Sequence, residues 1–375
     1  MKMRVRLGDY IKEYSVRNKF GEDIPVFSVT NTQGFCRDYF GKDVSSKDRT
    51  TYKIVPKGYF AYNPSRINVG SVDWQRREDR VIVSPLYNVF SVSPELDQQY
   101  LYYYLKSDIG LFYIKAAATG SVRDNLKFAM LADFQISLPS IEKQREIVDE
   151  LDRAKEIINL YNQQLKALDD LVKARFVEMF GQEINSVRLG DCCDIHARIG
   201  WQALTKNEHR QSGDYMLVTG TDFKDGRVDF NTCVYVDKER YEMDKHIILK
   251  ENDVLITKDG TIGKVAIVHD LPKPATLNSG VFVVRPDKRF NKEYISYVFR
   301  GPLFERFIEL SKTGATIKHL NQKHLLEFNI PVPSMEKQKM FADFFKEVDK
   351  SKFVVHKALD EAQTLFDSLM QQYFG

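Results

Sequence analysis

The stretch from Phe134 to Gly181 aligns without a gap onto Phe328 to Gly375, every matched residue lying 194 positions from its counterpart (134 against 328, 181 against 375). Two copies of one sequence unit constrain the chain to two copies of one structural unit. Pro139-Ser140 and Pro333-Ser334 each precede a helical pattern. There Ser caps free backbone N–H groups, and Glu142 or Glu336 suits the positive end of the helix. Glu-Lys-Gln follows at 142–144 and again at 336–338, and both copies close on Phe-Gly. The match extends backward at the same offset through Tyr100, Thr119-Gly120 and Leu126, which pair with Tyr294, Thr313-Gly314 and Leu320. Arg6-Leu7-Gly8-Asp9 and Arg188-Leu189-Gly190-Asp191 extend it further, with an insertion near the start of the second copy.

Beyond the two matched prolines the spacing is that of a coiled coil. Ile147, Leu151, Ala154, Ile158, Tyr161, Leu165, Leu168 and Val172 alternate in steps of four and three, the seam of a long helix that needs a partner. The second copy keeps the register with Phe341, Phe345, Val348, Lys352, Val355, Leu359, Ala362 and Phe366. Lys352 is the one break, either a register device or a snorkelling stem. At 1.5 Å per residue a helix over 141–180 is roughly 60 Å long.

The stretches before the helices are of another kind. Between 182 and 330, Tyr215–Val218, Val234–Val236, Val254–Ile256, Val265–Val268 and Val281–Val284 are short, β-branched or aromatic, and punctuated by Gly, Asp, Asn and Pro. That pattern predicts strands of a mixed sheet or barrel. Helical spacing follows at Tyr294–Phe299 and Leu303–Ile308, with first-copy counterparts at Tyr100–Leu105 and Leu111–Ile114. The expected fold class is α+β: a mixed α/β domain over 1–139, a long helix over 140–181, a second such domain over 182–334 and a second long helix over 335–375.

Charge is small overall, +3, but unevenly spread. Lys and Arg outnumber Asp and Glu 20 to 15 in 1–139 and 22 to 21 in 182–334, and trail 7 to 9 and 6 to 7 in the two helices. The positive excess therefore sits in the globular parts, chiefly the first. No apolar run is long enough for a bilayer, and the start of the chain lacks the apolar stretch of a signal peptide, so a cytoplasmic location with no membrane partner is expected. Four cysteines form no CxxC pair or disulfide framework. Cys192-Cys193 with His196 falls short of a zinc ligand set, and no metal is expected.

Chemistry-bearing motifs are few. Lys258 to Lys264 contains a Gly-Thr-Ile-Gly-Lys run, but its spacing is wrong for a phosphate loop, which needs four residues between the glycines and Ser or Thr after Lys. A strand-connecting turn is the plainer reading, on which two lysines and backbone N–H groups can still meet a nucleic-acid phosphate. Asn63-Pro64-Ser65-Arg66 is near the Asn-Pro-Pro-aromatic pattern of adenine methyltransferases but lacks its second Pro and aromatic. Arg66 with Arg76, Arg77, Arg80 and Trp74 forms a basic and aromatic cluster usable on DNA, with a solvated loop as the alternative. No metalloprotease, nucleophile-elbow or cofactor-binding motif is present, and no catalytic residue is assigned.

Thr313-Gly314-Ala315-Thr316-Ile317-Lys318-His319-Leu320, then Phe328 to Ser334 and Glu336-Lys337-Gln338, resemble the signature of the specificity subunit of type I restriction-modification systems. The first copy, Thr119-Gly120-Ser121 through Glu142-Lys143-Gln144, resembles it more loosely. The resemblance implies that each globular part is a target-recognition domain and that the two helices form an antiparallel intramolecular coiled coil in a pseudo-twofold repeat. It further implies an asymmetric bipartite DNA site, one half-site per domain. Double-stranded DNA is the implied partner, with two modification subunits and the restriction subunits. S-adenosylmethionine, ATP and magnesium then belong to those subunits, so this chain is expected to bind no cofactor and to be non-catalytic. The expected DNA-contacting residues are Asn63, Arg66, Arg76, Arg77, Arg123, Lys258, Thr261, Lys264 and Lys318. A coiled-coil scaffold with two protein-binding β-rich domains is the alternative, and a self-sufficient methyltransferase or nuclease is disfavoured by the missing cofactor motifs.

Overall fold

A computed structural model describes residues 4–37, 48–118, 125–182, 185–200, 204–224, 226–313 and 320–375. It divides into two compact units, one comprising 1–163 with 356–375 and the other 164–355. The dividing points fall inside the two long helices, so each unit consists of a globular part and a segment of each helix.

In the first unit, strand Arg4–Arg6 pairs antiparallel with Gln135–Ser137. A four-stranded antiparallel sheet follows in the order Ile11–Glu13, Asn88–Val92, Phe60–Tyr62, Val72–Trp74. Two further ladders join Ser28–Thr30 to Gly34–Cys36 and Lys53–Pro56 to Arg80–Val83. Helices α1 (Gln98–Lys106), α2 (Asp108–Ala117) and α3 (Phe128–Ala132) cover the sheet, and α4 runs from Ile141 to Phe180. Asp97 starts α1 by accepting from the N–H groups of Gln99 and Tyr100, and Ser107 starts α2 by accepting from Gly110. The corner between α1 and α2 admits no side chain at Gly110, whose Cβ would lie 2.0 Å from the Tyr104 carbonyl oxygen. Leu7, Phe60, Tyr62, Ile67, Val72, Phe90, Leu101, Ile114, Leu126 and Leu131 form a core with no measurable exposure.

In the second unit, Ser186–Arg188 pairs with Asn329–Pro331. A six-stranded sheet contains Cys193–Ala197, Val281–Pro286, Val254–Thr257, Val265–Ile267, Arg227–Val228 and Phe223–Lys224 in that order. Val234–Val236, Tyr215–Val218 and Ala275–Leu277 make a three-stranded sheet beside it. The five expected strands are all found. Ser186–Arg188, Cys193–Ala197, Phe223–Lys224, Arg227–Val228, Ala275–Leu277 and Asn329–Pro331 are additional, because none carries the β-branched or aromatic run that marks the others in sequence. Short α5 (Lys238–Glu242) is followed by α6 (Lys292–Arg300), α7 (Pro302–Thr313), α8 (Gln322–Leu326) and α9 (Met335–Phe374).

The repeated residues fill the same structural roles in each unit. Leu7 N–H donates to the Phe134 carbonyl at 2.8 Å and Leu189 N–H to the Phe328 carbonyl at 2.8 Å. Tyr100 and Tyr294 hydroxyls donate to the carbonyls of Ser137 and Pro331. The Gln of each Glu-Lys-Gln is fully buried. Gln144 accepts from Asp97 N–H at 2.8 Å and donates to the Glu95 and Pro139 carbonyls at 2.9 Å each. Gln338 accepts from Asn291 N–H at 2.8 Å and donates to the carbonyls of Arg289 at 3.0 Å and Pro333 at 2.9 Å. One side chain thus ties the start of a long helix to the residue that caps the neighbouring helix. Ser140 and Ser334 hydroxyls accept from Lys143 and Lys337 N–H, as expected of caps.

Along both long helices the seam positions are buried or half-buried, Ile158, Tyr161, Leu165, Leu168, Lys352, Leu359, Ala362 and Phe366 being half-buried. Within the first unit Ile147 and Leu151 share a core with Phe366 and Phe374, and Tyr373 donates to Glu150. Within the second, Leu168, Val172 and Phe176 share a core with Phe341, Phe345 and Val348. The seam break at Lys352 is matched there by an ion pair with Asp169.

Candidate nucleic-acid interface

In the first unit the chain leaves strand Phe60–Tyr62 into a tight turn. Asn63 Oδ1 accepts from Ser65 N–H at 3.1 Å, and its carbonyl accepts from Arg66 and Ile67, a side-chain-closed turn of the kind Asn favours. The turn ends at Gly70, whose φ of 88° is left-handed. Arg66 has its N–H and carbonyl engaged, the carbonyl accepting from Val69 and Ser71, while its side chain is exposed. A fixed backbone under a solvent-facing guanidinium suits a DNA contact.

The other expected residues of this unit divide differently. Asn63 is committed to its own turn through Oδ1, which removes the bidentate arrangement by which Asn reads adenine. The basic cluster is also not one cluster. Tyr62 pairs with Val72 at the Arg66 end of the hairpin and Phe60 with Trp74 at the far end, so Arg76, Arg77 and Arg80 lie beyond the opposite end from Arg66. Arg76 bonds Asp73 at 2.9 Å and Gln99 at 3.0 Å and stacks on Trp74 at 4.4 Å. Arg80 pairs with Glu22 at 2.5 Å. Arg77 is exposed. Arg123 lies outside the described residues.

Asn125 and Leu126 are anchored on the Arg66 turn. Leu126 N–H donates to the Pro64 carbonyl at 3.1 Å, and Ser65 Oγ donates to Asn125 Oδ1 at 2.6 Å. Tyr62 hydroxyl donates to the Leu126 carbonyl at 3.1 Å. Lys106, absent from the sequence-based set, pins the far side of the turn, its ammonium donating to the carbonyls of Gly70 and, at 3.0 Å, Asn31. Burial pushes that ammonium down to about 8. No sequence signal distinguishes this lysine from a solvated one at a helix end.

The second unit builds its counterpart on Thr257–Lys264. Leu320, the repeat partner of Leu126, donates its N–H to the Lys258 carbonyl at 2.8 Å, and Lys258 N–H donates to Gly280 at 2.9 Å. Buried Thr257 accepts from Lys264 N–H at 2.9 Å and donates to the Thr261 carbonyl. Gly263, at φ 83°, brings the turn against Ile308, where a Cβ would lie 2.9 Å away. The amides of Lys258, Ile262, Gly263 and Lys264 are all used inside this arrangement, so these N–H groups are not left to meet a nucleic-acid phosphate, as the turn reading had allowed. Lys264 donates to the Phe223 carbonyl, and Lys258 stands over the Phe282 ring at 5.5 Å. Thr261 is exposed at the tip. Lys318 lies outside the described residues. His196 bonds Asp194 at 2.7 Å and lies tilted against the His246 ring at 4.5 Å, and no group of three or more metal-ligating side chains occurs among the described residues.

Each unit therefore presents a braced turn between two strands, docked by a matched leucine N–H, with polar side chains outward. Among the described residues no helix is long and apolar enough to cross a membrane.

The chain is similar in sequence and in fold to known proteins. The family model for the type I restriction modification DNA specificity domain matches residues 7–169 and 182–362. The MjaVIII type I restriction enzyme specificity subunit of Methanocaldococcus jannaschii is 22% identical over 278 residues, 68% of this chain and 64% of that protein, just under two thirds of its length. The fold resembles the type I restriction-modification S subunit from M. genitalium, with TM-score 0.56 at 16% identity, covering 100% of this chain and 96% of that one. It also resembles a chain from a structural study of complex assembly and conformational transition of the type I R-M system, with TM-score 0.59 at 18% identity, covering 99% and 97%. With both globular parts and most of both long helices inside the matched ranges, the chain belongs to the type I restriction modification DNA specificity domain family.

Proposed function

We propose that this chain is the sequence-specificity subunit of a type I restriction-modification complex, binding an asymmetric bipartite DNA site with one half-site per globular part. The observation that carries the reading is the duplicated turn. Two specificity domains each hold out a braced strand-connecting turn, anchored through Leu126 in one and Leu320 in the other. Arg66 and Arg77 in the first unit and Lys258 and Thr261 in the second are the contacts proposed here. Arg123 and Lys318 stay in the set on sequence grounds.

The long helices are proposed to pair as an antiparallel coiled coil that sets the distance between half-sites. Their seams keep one register through 147–172 and 341–366, and a 40-residue helix is long enough to act as a spacer. The chain itself is proposed to be non-catalytic and cytoplasmic. Modification subunits would flip the target adenine out of the duplex and methylate it with S-adenosylmethionine. Restriction subunits would supply the ATP- and magnesium-dependent steps.

The test is to map methylated adenines in host DNA and to measure duplex binding by the assembled complex. A single bipartite motif bound in preference to scrambled duplex is expected. Failure of the complex to bind that duplex would move the reading to a protein-binding scaffold. Methylation by the purified chain alone would make it an enzyme.

A further inference from the structure

Adjacent residues of a β-strand point to opposite faces of the sheet, so two neighbouring cysteines at a strand start would ordinarily hold their sulfurs apart. Cys192 and Cys193 do not. Cys192 follows the short turn Leu189–Asp191 with φ −140° and ψ −6°, outside the extended region, and strand Cys193–Ala197 begins only after it. The kink brings the two sulfurs to 3.7 Å. That is well beyond the roughly 2.05 Å of a disulfide, and all four cysteines of the chain are free thiols. The same kink occurs in the first unit, where Tyr10 follows Leu7–Asp9 with φ −118° and ψ −4°. There the two positions are Tyr10 and Ile11. The fold supplies the bend, and only the second copy fills it with sulfur.

The two thiols are also set apart from the others chemically. Cys192 is buried, its Sγ pointing at the carbonyls of Arg188 at 3.2 Å and Leu189 at 3.6 Å, while Cys193 is half-buried at the edge of the same core. Contact with Cys193 holds the Cys192 thiol below the ordinary range, and the same contact with burial pushes Cys193 up, so one sulfur is favoured to lose its proton first. Arg289, which donates to the Asp191 carbonyl at 2.5 Å, adds positive charge beside them. Cys36 lies against Thr30, and Cys233 against the Asp229 carbonyl, so each offers a single sulfur.

We propose that Cys192 and Cys193 form a dithiol site that captures trivalent arsenicals, soft electrophiles that take two sulfurs at once. With a monosubstituted arsenic oxide, two As–S bonds form and the As=O bond breaks. The oxygen leaves as water with the two thiol protons, and arsenic stays trivalent. A pre-set sulfur pair favours this closure over two separate thiols, because the second As–S bond forms within one small ring.

The experiment incubates the full chain with phenylarsine oxide and follows intact mass together with the count of titratable thiols after denaturation. One arsenical per chain is expected, with the thiol count falling from four to two. The adduct should survive excess 2-mercaptoethanol and be released by 2,3-dimercaptopropanol. Cys192→Ser and Cys193→Ser should each abolish the stable adduct, whereas the Cys36→Ser/Cys233→Ser double variant should retain it. Peptide mapping of the unsubstituted adduct locates the arsenic even if a serine variant fails to fold. Arsenic on any other peptide, an adduct stripped by the monothiol, or a folded chain that keeps four reactive thiols would overturn the proposal.

Discussion

Replacing Gln338 by Met keeps the length and most of the volume of a side chain with no measurable exposure, but removes its hydrogen bonds. Asn291 N–H loses its acceptor, and the carbonyls of Arg289 and Pro333 lose their donors. At about 1 kcal/mol net for each bond, with a further penalty for the buried Pro333 carbonyl and some return from burying an apolar group, the loss is about 2–4 kcal/mol. With a urea slope of about 2 kcal/mol/M the unfolding midpoint of the second unit should fall by about 1–2 M. Circular dichroism in urea measures it, and Gln144→Met should do the same to the first unit because its three bonds are of equal length within 0.1 Å. Gln338→Glu should also be destabilised near neutral pH, since a carboxylate accepts from Asn291 but cannot donate to the two carbonyls. A Gln338→Met midpoint within about 0.2 M of the unsubstituted chain, at unchanged slope, would refute the claim that these bonds hold the helix to its neighbour.

Arg66→Ala in the assembled complex should weaken duplex binding by about 1–3 kcal/mol if it reads a base, with relaxed preference at one position. If it meets a phosphate, all sequences should weaken alike and the salt slope should drop by about 0.9; competition binding over sequence variants and salt separates the two. Exchanging 1–139 for the equivalent part of a related subunit should alter one half-site and leave the other, as read by methylome mapping. Inserting seven residues into one long helix should abolish tight binding. A matched insertion in both lengthens the rod by roughly 10 Å, and partial recovery is expected only on a site with a longer spacer. Thr205, through its N–H and hydroxyl, and then Arg240 hold the Glu208 carboxyl down to about 2. Its contribution to stability is thus present above the ordinary value of 4.5 and lost as pH falls toward 2, and Glu208→Gln should flatten acid unfolding across that window.

The sequence by itself determined whatever local periodicity and duplication encode. The four-three spacing from Ile147 to Val172 marked a helix and its less exposed face, since a seam is a property of one helix read residue by residue. The repeat identified Tyr100 with Tyr294, Leu126 with Leu320 and Gln144 with Gln338 before any fold was known, although the clamp made by each Gln was not legible, because two of its three partners lie 47–49 positions away along the chain. Tertiary structure decided which charged groups remain outward. Arg66 and Arg76 read alike in one basic run, but hairpin pairing sends them to opposite ends and gives Arg76 to Asp73, Gln99 and Trp74. Lys264 and the amides of its glycine turn were spent on Phe223, Thr257 and Gly260. A charge is available for DNA only when nothing nearer satisfies it, and nearness between residues distant in sequence is fixed by the folded chain.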